Sequence, residues 1–351
     1  MKNTIVGVDL AKEVIQVCIY TNKKVHSNNE MTHQEYRAWL FKTKPTTIVF
    51  EACATSNYWK QKAIEAGHKA ELISAKLVAT VRQNQKTDKN DALAIVQASQ
   101  LPDIQFIKGK NVDQQQLQSM LRLRELAIKQ KTASNNQLKA LLLEFNVRVS
   151  PRNGGLKGVV QSTLEDAENG LSDEFRQALD ATWKHYSGLL ESIRIYDDCL
   201  ESSIQEHADC KRLLKLEGVG TVNAINLYIA LGCAELGTFT KGKDASACMG
   251  LTPLQYSSGG KTTLGSIGRH VKNSMLRSQL ITGALSAVSQ IMKRTAVTKK
   301  EAWIQGLVER RGKKCAAVAL ANKTVRTAFA MLTKCTEYKA ELISDLKVEC
   351  A

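Results

Sequence analysis

Four carboxylates stand at positions where they could bind metal ions together. Asp88 and Asp91 lie three residues apart at a predicted helix start, in the stretch KTDKNDA. Asp9 and Glu51 each end an apolar stretch that predicts a buried strand, TIVGVD and TTIVFE. A carboxylate beside an apolar interior is costly without a cation or hydrogen-bond partners. Carboxylate oxygens are ligands of Mg²⁺ or Mn²⁺. Two such ions about 3.5–4 Å apart can catalyse phosphoryl transfer by stabilising the attacking and leaving oxygens.

The Asp88–Asp91 pair does not identify a site by itself. Like charges at this helical spacing cost only about 0.2–0.5 kcal/mol, and an acid at a helix N-terminus gains roughly 0.3–1 kcal/mol. An isolated pair of this kind is therefore most simply a solvated first turn. The pair indicates chemistry only if the fold brings Asp9 and Glu51 to it.

The first hundred residues are predicted to follow the order β-β-β-α-β-α-β-α. The five predicted strands cover residues 4–9, 14–20, 24–31, 46–51 and 69–74. The three predicted helices cover residues 32–39, where THQE is a capping box, 58–66 and 88–99. Short links predict that the first three strands form an antiparallel meander. A right-handed helical crossover then returns the fourth strand parallel to an earlier one. If that neighbour is the first strand, Asp9 and Glu51 meet at one edge of the sheet.

The middle of the chain predicts two long amphipathic helices. Apolar residues mark the first at Leu117, Leu121, Ile128, Leu138, Leu142 and Phe145. They mark the second, which starts near Ser172, at Phe175, Leu179, Trp183, Tyr186, Leu190, Ile193, Leu200 and Ile204. A Pro/Gly-containing break at residues 150–158 separates the helices, and the role of residues 150–171 stays open. The pattern predicts an antiparallel coiled-coil arm that serves assembly, although simple packing is the commoner reason for such stripes.

The last third of the chain combines a glycine turn with an excess of positive charge. Gly218 and Gly220 lie between two apolar helical stretches. This is the pattern of a helix-hairpin-helix segment, whose backbone N–H groups can receive a phosphate; a plain helical hairpin fits it equally well. The other candidate nucleic-acid contacts are Lys261, Arg269, Lys272 and Arg277.

Composition favours a nucleic-acid partner. The 351 residues carry a formal net charge of +15, which suits a polyanion: nucleic acid or an anionic membrane surface. No apolar run is long enough to span a bilayer, and the N-terminus has no signal-peptide pattern. The 9 cysteines include no Cys-x-x-Cys pair, which argues against a zinc site or a disulfide framework. We therefore expect a cytoplasmic protein that binds nucleic acid and is not associated with a membrane; the family resemblance given below implies that it is bacterial and associated with the nucleoid.

Several stretches resemble, in type and order, the motifs of one known family. In the first half they are Gly7-Val-Asp9, Val49-Phe-Glu51 and Lys86-Thr-Asp88-Lys-Asn-Asp91. In the second half they are Leu216-Glu-Gly218-Val-Gly220, Gly250-Leu-Thr-Pro253 and Tyr256-Ser-Ser258-Gly259, followed by a basic helix over Arg269–Arg277. The chain thereby resembles the DEDD-type transposases, which include the Piv DNA invertases and the insertion-sequence-110 and -1111 recombinases. For GVDLAKE the rival is the phosphate loop of actin-like kinases, but the second half and glycine-rich adenosine motifs of that fold are not found.

The resemblance implies a fold of class α/β plus α. Residues 1–108 would form a ribonuclease-H-like domain related to Holliday-junction resolvases. Residues 109–210 would form the coiled-coil and oligomerisation region. Residues 211–351 would form a mainly helical C-terminal transposase domain with the helix-hairpin-helix-like segment.

The resemblance also implies a mechanism. Asp9, Glu51, Asp88 and Asp91 would form a tetrad that binds Mg²⁺ or Mn²⁺. Ser258 would attack DNA and form a covalent phosphoserine, with the neighbouring Ser257 as the other candidate. Family members act as homodimers and tetramers with a composite site, and insertion-sequence members use a structured non-coding guide RNA to choose donor and target DNA.

Two other functions fit the residues alone. A metal-dependent Holliday-junction-type nuclease would use the tetrad and water, without a serine. A non-catalytic nucleic-acid-binding scaffold would keep the fold and lose the chemistry.

Overall fold

The computed structural model describes residues 4–232, 239–268 and 274–343. The chain divides into two compact units. One unit combines Met1–Gln115 with Asp209–Ala351, and the other is Gln116–Ala208. The division into three domains at residues 108 and 210 stays a prediction.

A five-stranded sheet organises the N-terminal part of the first unit. Its strands are β1 (Thr4–Leu10), β2 (Ile15–Thr21), β3 (Lys24–Met31), β4 (Thr47–Glu51) and β5 (Lys69–Ile73). Their order in the sheet is β3-β2-β1-β4-β5. The first three strands are antiparallel, whereas β4 pairs in parallel with both β1 and β5. The predicted meander and the predicted adjacency of the first and fourth strands are both confirmed.

Four helices cover the two faces of this sheet. They are α1 (His33–Lys42), α2 (Ser56–Glu65), α3 (Ala75–Val81) and α4 (Asp88–Ser99). Residues of α1 and α2 share one core cluster with Val6, Val8, Ile48 and Phe50. Residues of α3 and α4 share another with Val49 and Ile73 on the opposite face. The prediction missed α3, because its seven residues, AKLVATV, are too few to establish a helical period.

Gly7 lets α4 lie directly on the backbone of β1. A Cβ atom at Gly7 would be 2.4 Å from the carbonyl oxygen of Ala92 and 2.6 Å from Cγ2 of Val96. Both distances are too short for any side chain, so the helix must retreat if one is added. A glycine inside a strand often marks such a close approach.

We expect Gly7→Ala to lower the free energy of unfolding by about 1–3 kcal/mol, the usual cost of overpacking a core. Urea unfolding measures the change. Gly306→Ala is the matched control, because nothing lies within 4 Å of a Cβ at that helical position and alanine is a better helix former there by up to about 1 kcal/mol. Equal stabilities of the two variants would contradict the close contact.

The second unit consists of helices. The helices of the middle region are α5 (Val112–Glu144), α6 (Gly155–Glu165) and α7 (Asp173–Glu206). Arg124 of α5 pairs with Asp197 near the end of α7, while Leu138 of α5 shares a core with Leu179 near the start of α7. The two long helices are therefore antiparallel, and coiled-coil packing stays a prediction.

The segment between the long helices is more ordered than the predicted break. A 3₁₀ turn at Pro151–Asn153 leads into α6, whose Val159 and Val160 are buried in the core of this unit. Arg176 of α7 donates to the carbonyl oxygens of Thr163, Leu164, Asp166 and Leu171. Residues 150–171 thus close one end of the helical unit.

The C-terminal part is mainly helical, as predicted. Its elements are α8 (Ala208–Leu213), α9 (Thr221–Leu227), α10 (Gly242–Cys248), β6 (Pro253–Ser258), β7 (Lys261–Ile267), α11 (Ser274–Ile291) and α12 (Lys299–Lys334). Strands β6 and β7 form a separate antiparallel hairpin. None of the helices in the described ranges is long and apolar enough to cross a membrane.

Helix α12 is broken at Gly312, whose φ of 80° and ψ of 165° are not helical. The Lys323 ammonium lies 4.8 Å from the ring centroid of Trp303. Twenty residues of unbroken helix would separate these positions by about 30 Å. The part of α12 after Gly312 therefore folds back along the part before it.

Candidate functional site

Asp9 and Glu51 lie at the same edge and on the same face of the sheet. Val8 is paired with Phe50 in the parallel β1–β4 ladder, so the next residue on each strand is Asp9 and Glu51. Side chains alternate along a strand. Asp9 therefore shares the face of Gly7, and Glu51 shares the face of Val49, which is the face that α4 covers.

Asp88 and Asp91 lie on the first turn of α4, as predicted. The Thr87 side chain caps this helix by accepting from the Asn90 N–H. Asn28 of β3 donates to the Lys89 carbonyl at 2.9 Å, and Gln16 of β2 donates to Asn28 at 2.7 Å. These bonds fix the start of α4 against the sheet, with Asp88 exposed and Asp91 buried.

Asp9 and Glu51 lie close enough to the neighbouring acids for the charge of each to be disfavoured. Burial raises the pKa of Asp9, and the negative charges of Asp91 and Asp88 raise it further. Burial also raises the pKa of Glu51, with Asp9 and Asp91 adding to the rise. The Lys86 ammonium opposes both shifts. The protein thus gathers carboxylates that repel one another, which favours the binding of a cation.

Asp91 already has two cationic partners. Arg82 donates to its Oδ1 at 2.7 Å, and Lys86 donates to its Oδ2 at 3.2 Å. Across residues 4–232, 239–268 and 274–343, no three His, Cys, Asp or Glu side chains converge closely enough to hold a metal ion. Four carboxylates are a suitable donor set for Mg²⁺, and Arg82 and Lys86 would compete with a bound metal for the oxygens of Asp91.

The prediction from sequence missed Arg82, Gln16 and Asn28 as residues that support this cluster. Arg82 is nine residues before Asp91, outside any motif, and only the turn from α3 to α4 brings it back. Lys86 belongs to the KTDKNDA stretch itself, so a cation beside Asp91 could have been anticipated.

Ser258 is the last residue of β6 and stands at the tip of the hairpin. The two-residue turn that follows consists of Gly259 and Gly260, with φ values of 54° and 77°. Two positive φ values are characteristic of the type I′ turn, which matches the twist of antiparallel strands. Ser258 and the turn glycines are exposed, so the Ser258 hydroxyl is accessible to a large substrate.

The two candidate serines differ in their neighbours. Ser258 is paired with Lys261 across the hairpin, whereas Ser257 is paired with Thr262. Directly opposed residues share a face of the ladder with Cβ atoms about 4.5–5.5 Å apart, and consecutive residues face opposite sides. Ser258 therefore shares its face with an ammonium group that can offset phosphate charge, while Ser257 shares its face with a neutral side chain.

The other candidate nucleic-acid contacts fall into three groups. Gly218 packs against α11: a Cβ there would be 2.5 Å from the Gly283 carbonyl oxygen, while Gly220 precedes α9 as its N-cap. Arg277 donates to the Gly250 carbonyl at 3.0 Å and lies beneath Gly268 at the base of the hairpin. Arg269 and Lys272 lie outside the described residues, and α11 begins at Ser274. Nucleic-acid binding by all of these residues stays a prediction.

Comparison with known proteins identifies the family. The model of the DEDD transposases of IS110, described as "Transposase", matches residues 6–147. A second model, "Transposase IS116/IS110/IS902 family", matches residues 210–298. The chain is 32% identical over 336 residues to the transposase for insertion sequence element IS1111A of Coxiella burnetii, covering 95% of this chain and 91% of that protein. The chain belongs to the IS110/IS1111 family of transposases.

Two further relatives agree with this assignment. The "Probable family 20 transposase" of Pseudomonas aeruginosa is 31% identical, with 95% of this chain and 98% of that protein covered. The transposase for insertion sequence element IS1328 of Yersinia enterocolitica is 27% identical, with 95% and 98% covered. Family membership makes this chain a transposase of an insertion sequence element. The first family model covers the four acids and all of α5, and the second covers the hairpin that carries Ser258.

Proposed function

We propose that this transposase cuts and rejoins DNA through a covalent phosphoserine at Ser258, with divalent metal held by Asp9, Glu51, Asp88 and Asp91. The observation that carries the proposal is that the first turn of α4 brings Asp88 and Asp91 to the sheet edge with Asp9 and Glu51, where burial and the neighbouring acids raise the pKa of Asp9 and of Glu51. The order of strands and helices around them, β3-β2-β1-β4-β5, supports a ribonuclease-H-like domain.

Each group has a role in the proposed reaction. The Ser258 oxygen forms a bond to the phosphorus of a DNA phosphodiester while its proton passes to one of the four carboxylates. The bond from phosphorus to the leaving deoxyribose oxygen breaks, and that oxygen takes up a proton to become a hydroxyl. The DNA end then remains on the serine, and attack by a second DNA hydroxyl reverses the step and joins new ends. Lys261 lies where it can offset charge on the phosphate. Mg²⁺ or Mn²⁺, when bound, would lower the barrier by stabilising charge on the attacking and leaving oxygens.

The partners in the proposal follow from the family resemblance. We infer that donor and target DNA are chosen by a structured non-coding RNA of the element. We also infer that homodimers and tetramers, joined through the helical arm, pair the acids of one protomer with the serine of another. Exposed apolar side chains on the arm, among them Leu123, Leu126 and Leu190, support a contact with a second chain.

One incubation separates this function from its two alternatives. The protein is mixed with element DNA, the element's RNA and Mg²⁺, and the products are denatured and resolved. A phosphoserine mechanism gives protein covalently joined to DNA. A junction nuclease that uses water gives cut DNA with free 5′-phosphate ends and no adduct, and a scaffold gives uncut DNA.

Metal binding has its own expected signature in thermal unfolding. Wild-type protein should be stabilised by Mg²⁺ as RT ln(1 + [Mg²⁺]/Kd), or about 2.7 kcal/mol at a hundredfold excess over Kd. Asp9→Asn should lose this response. In EDTA at neutral pH the same variant should melt higher than wild type, because it removes a half-buried charge that repels its neighbours. Asp103→Asn, which removes an exposed acid elsewhere, is the control.

The sign of the pH dependence follows from the raised pKa of Asp9. Between the ordinary pKa and the raised one, the folded protein binds more protons than the unfolded chain, so its stability falls as pH rises. The difference in Tm between Asp9→Asn and wild type in EDTA should therefore shrink as pH is lowered through the raised pKa. Stabilisation by Mg²⁺ should weaken over the same range, since protons compete for the carboxylates. An Asp9→Asn variant that still responds to Mg²⁺ like wild type would contradict the assignment of this ligand.

A further inference from the structure

A large groove in the C-terminal part has no role in the reaction described above. It runs along the second half of α12, is bounded by α10 and the end of β7, and encloses about 1470 Å³. Pockets for small molecules are usually about 300–1,000 Å³. We call it the α12 groove; its size suits a segment of polymer.

The rim of the α12 groove is cationic. Its basic side chains are Lys241, Lys243, Lys314, Lys323, Arg326 and Lys334. In the part of the chain that the structure describes, none of these six forms an ion pair with a carboxylate, and no acid lines the groove. The nearest acid along the chain, Asp244, accepts a hydrogen bond from Thr240 at the end of the groove. Six cationic side chains without carboxylate partners around one concave surface favour the binding of a polyanion.

The floor of the groove is apolar and partly aromatic. Trp303, Val318 and Phe329 are half-buried there, and Ile267 is 43% exposed. Asn322 donates a hydrogen bond to the Leu251 carbonyl at 2.9 Å and so connects this part of α12 to the loop before the β6–β7 hairpin. The floor therefore consists of residues held by packing and hydrogen bonds.

A cationic rim with an apolar floor fits one form of nucleic acid better than another. A duplex presents phosphates and sugars on its outside and would leave the floor uncovered. A single strand offers phosphates to the rim and unpaired bases to the aromatic floor, which is the usual arrangement in proteins that bind single strands. We propose that the α12 groove binds a single-stranded segment of nucleic acid, with phosphates on Lys323 and Arg326 and bases against Phe329 and the part of Trp303 that the Lys323 ammonium does not cover.

The first test measures binding without any chemistry. Full-length protein in EDTA is titrated against fluorescent twelve-residue oligothymidylate, oligouridylate and a twelve-base-pair duplex, over a series of NaCl concentrations. Lys323→Ala/Arg326→Ala should weaken single-strand binding about tenfold or more. It should also reduce the slope of log K against log salt by about 1.4, since each phosphate contact contributes about 0.7.

The matched control removes the same charge elsewhere. Lys139→Ala/Lys339→Ala takes two exposed lysines from outside the groove and should leave affinity and slope within twofold of wild type. Equal losses in the two double variants, or duplex binding as tight as single-strand binding, would overturn the proposal. The thymidylate and uridylate arms report whether DNA or RNA is the preferred strand.

The second test needs no variant. Cys315 lines the groove and is exposed, whereas Cys199 is exposed on α7. Saturating oligonucleotide should slow alkylation of Cys315 by iodoacetamide several-fold, read by mass spectrometry, and leave Cys199 unchanged. An unprotected Cys315 would overturn the proposal. Because both tests omit metal and DNA cleavage, their outcome is independent of the phosphoserine mechanism.

Discussion

A Ser258→Ala variant should form no covalent protein–DNA adduct under conditions in which wild-type protein accumulates one. The expected loss is about 10³-fold or more, because removing a nucleophile removes the bond-forming atom itself. The measurement is the fraction of element DNA that migrates with protein after denaturation. Folding should be unaffected, since Ser258 is an exposed side chain at a turn and such substitutions usually change stability by less than about 0.5 kcal/mol.

Ser257→Ala is the matched control for this prediction. The residue is adjacent, equally exposed and of the same type, yet it faces the other side of the hairpin and is paired with Thr262. Adduct formation by this variant should stay within a few-fold of wild type. If Ser257→Ala loses the adduct and Ser258→Ala keeps it, the nucleophile is Ser257. If both variants keep it, neither serine is the nucleophile.

An Asp88→Asn variant should lose roughly 10²–10⁴-fold of DNA cleavage while keeping its fold. A metal ligand supports several kcal/mol of transition-state stabilisation, and each 1.36 kcal/mol corresponds to a tenfold change in rate. Asp88 is exposed, so its replacement by an isosteric amide should leave the Tm nearly unchanged. The rate of cleavage of element DNA in Mg²⁺ measures the effect.

Asp113→Asn provides a stringent control. Asp113 is also an exposed acid in the first turn of a helix, α5. If Asp88 were only a favourable charge at a helix N-terminus, both variants would lose a few tenths of a kcal/mol in stability and keep their activity. Full cleavage activity of Asp88→Asn would remove this residue from the metal site.

The sequence was sufficient to predict the elements that hold the acids. The apolar strands before Asp9 and Glu51 are local patterns, as is the cap at Thr87. The crossover rule predicted that β4 is parallel to an earlier strand, and the structure shows that this strand is β1. The convergence of the acids followed from these patterns because strand register and helix start are set by nearby residues. No local pattern of this kind indicated the proposed nucleophile, because SSGG predicted only a turn.

Features that depend on contacts between distant segments could not be predicted. The pairing of Arg82 with Asp91 requires the turn after α3, which was itself missed. The break in α12 occurs at Gly312, and an isolated glycine inside a helical pattern is usually tolerated without a break. Strands β6 and β7 are short, polar and exposed, so no apolar alternation indicated them.

The contact between Gly7 and α4 has an evolutionary consequence. Since the Ala92 carbonyl and the Val96 side chain of the helix rest on main-chain atoms of β1, no side chain at position 7 of the strand sets the spacing between the strand acids and the helix acids. Mutations on the outer surface of α4 can therefore accumulate without moving Asp88 or Asp91. The acidic cluster can in this way keep constant dimensions while the outer surface of α4 changes, provided that position 7 remains glycine.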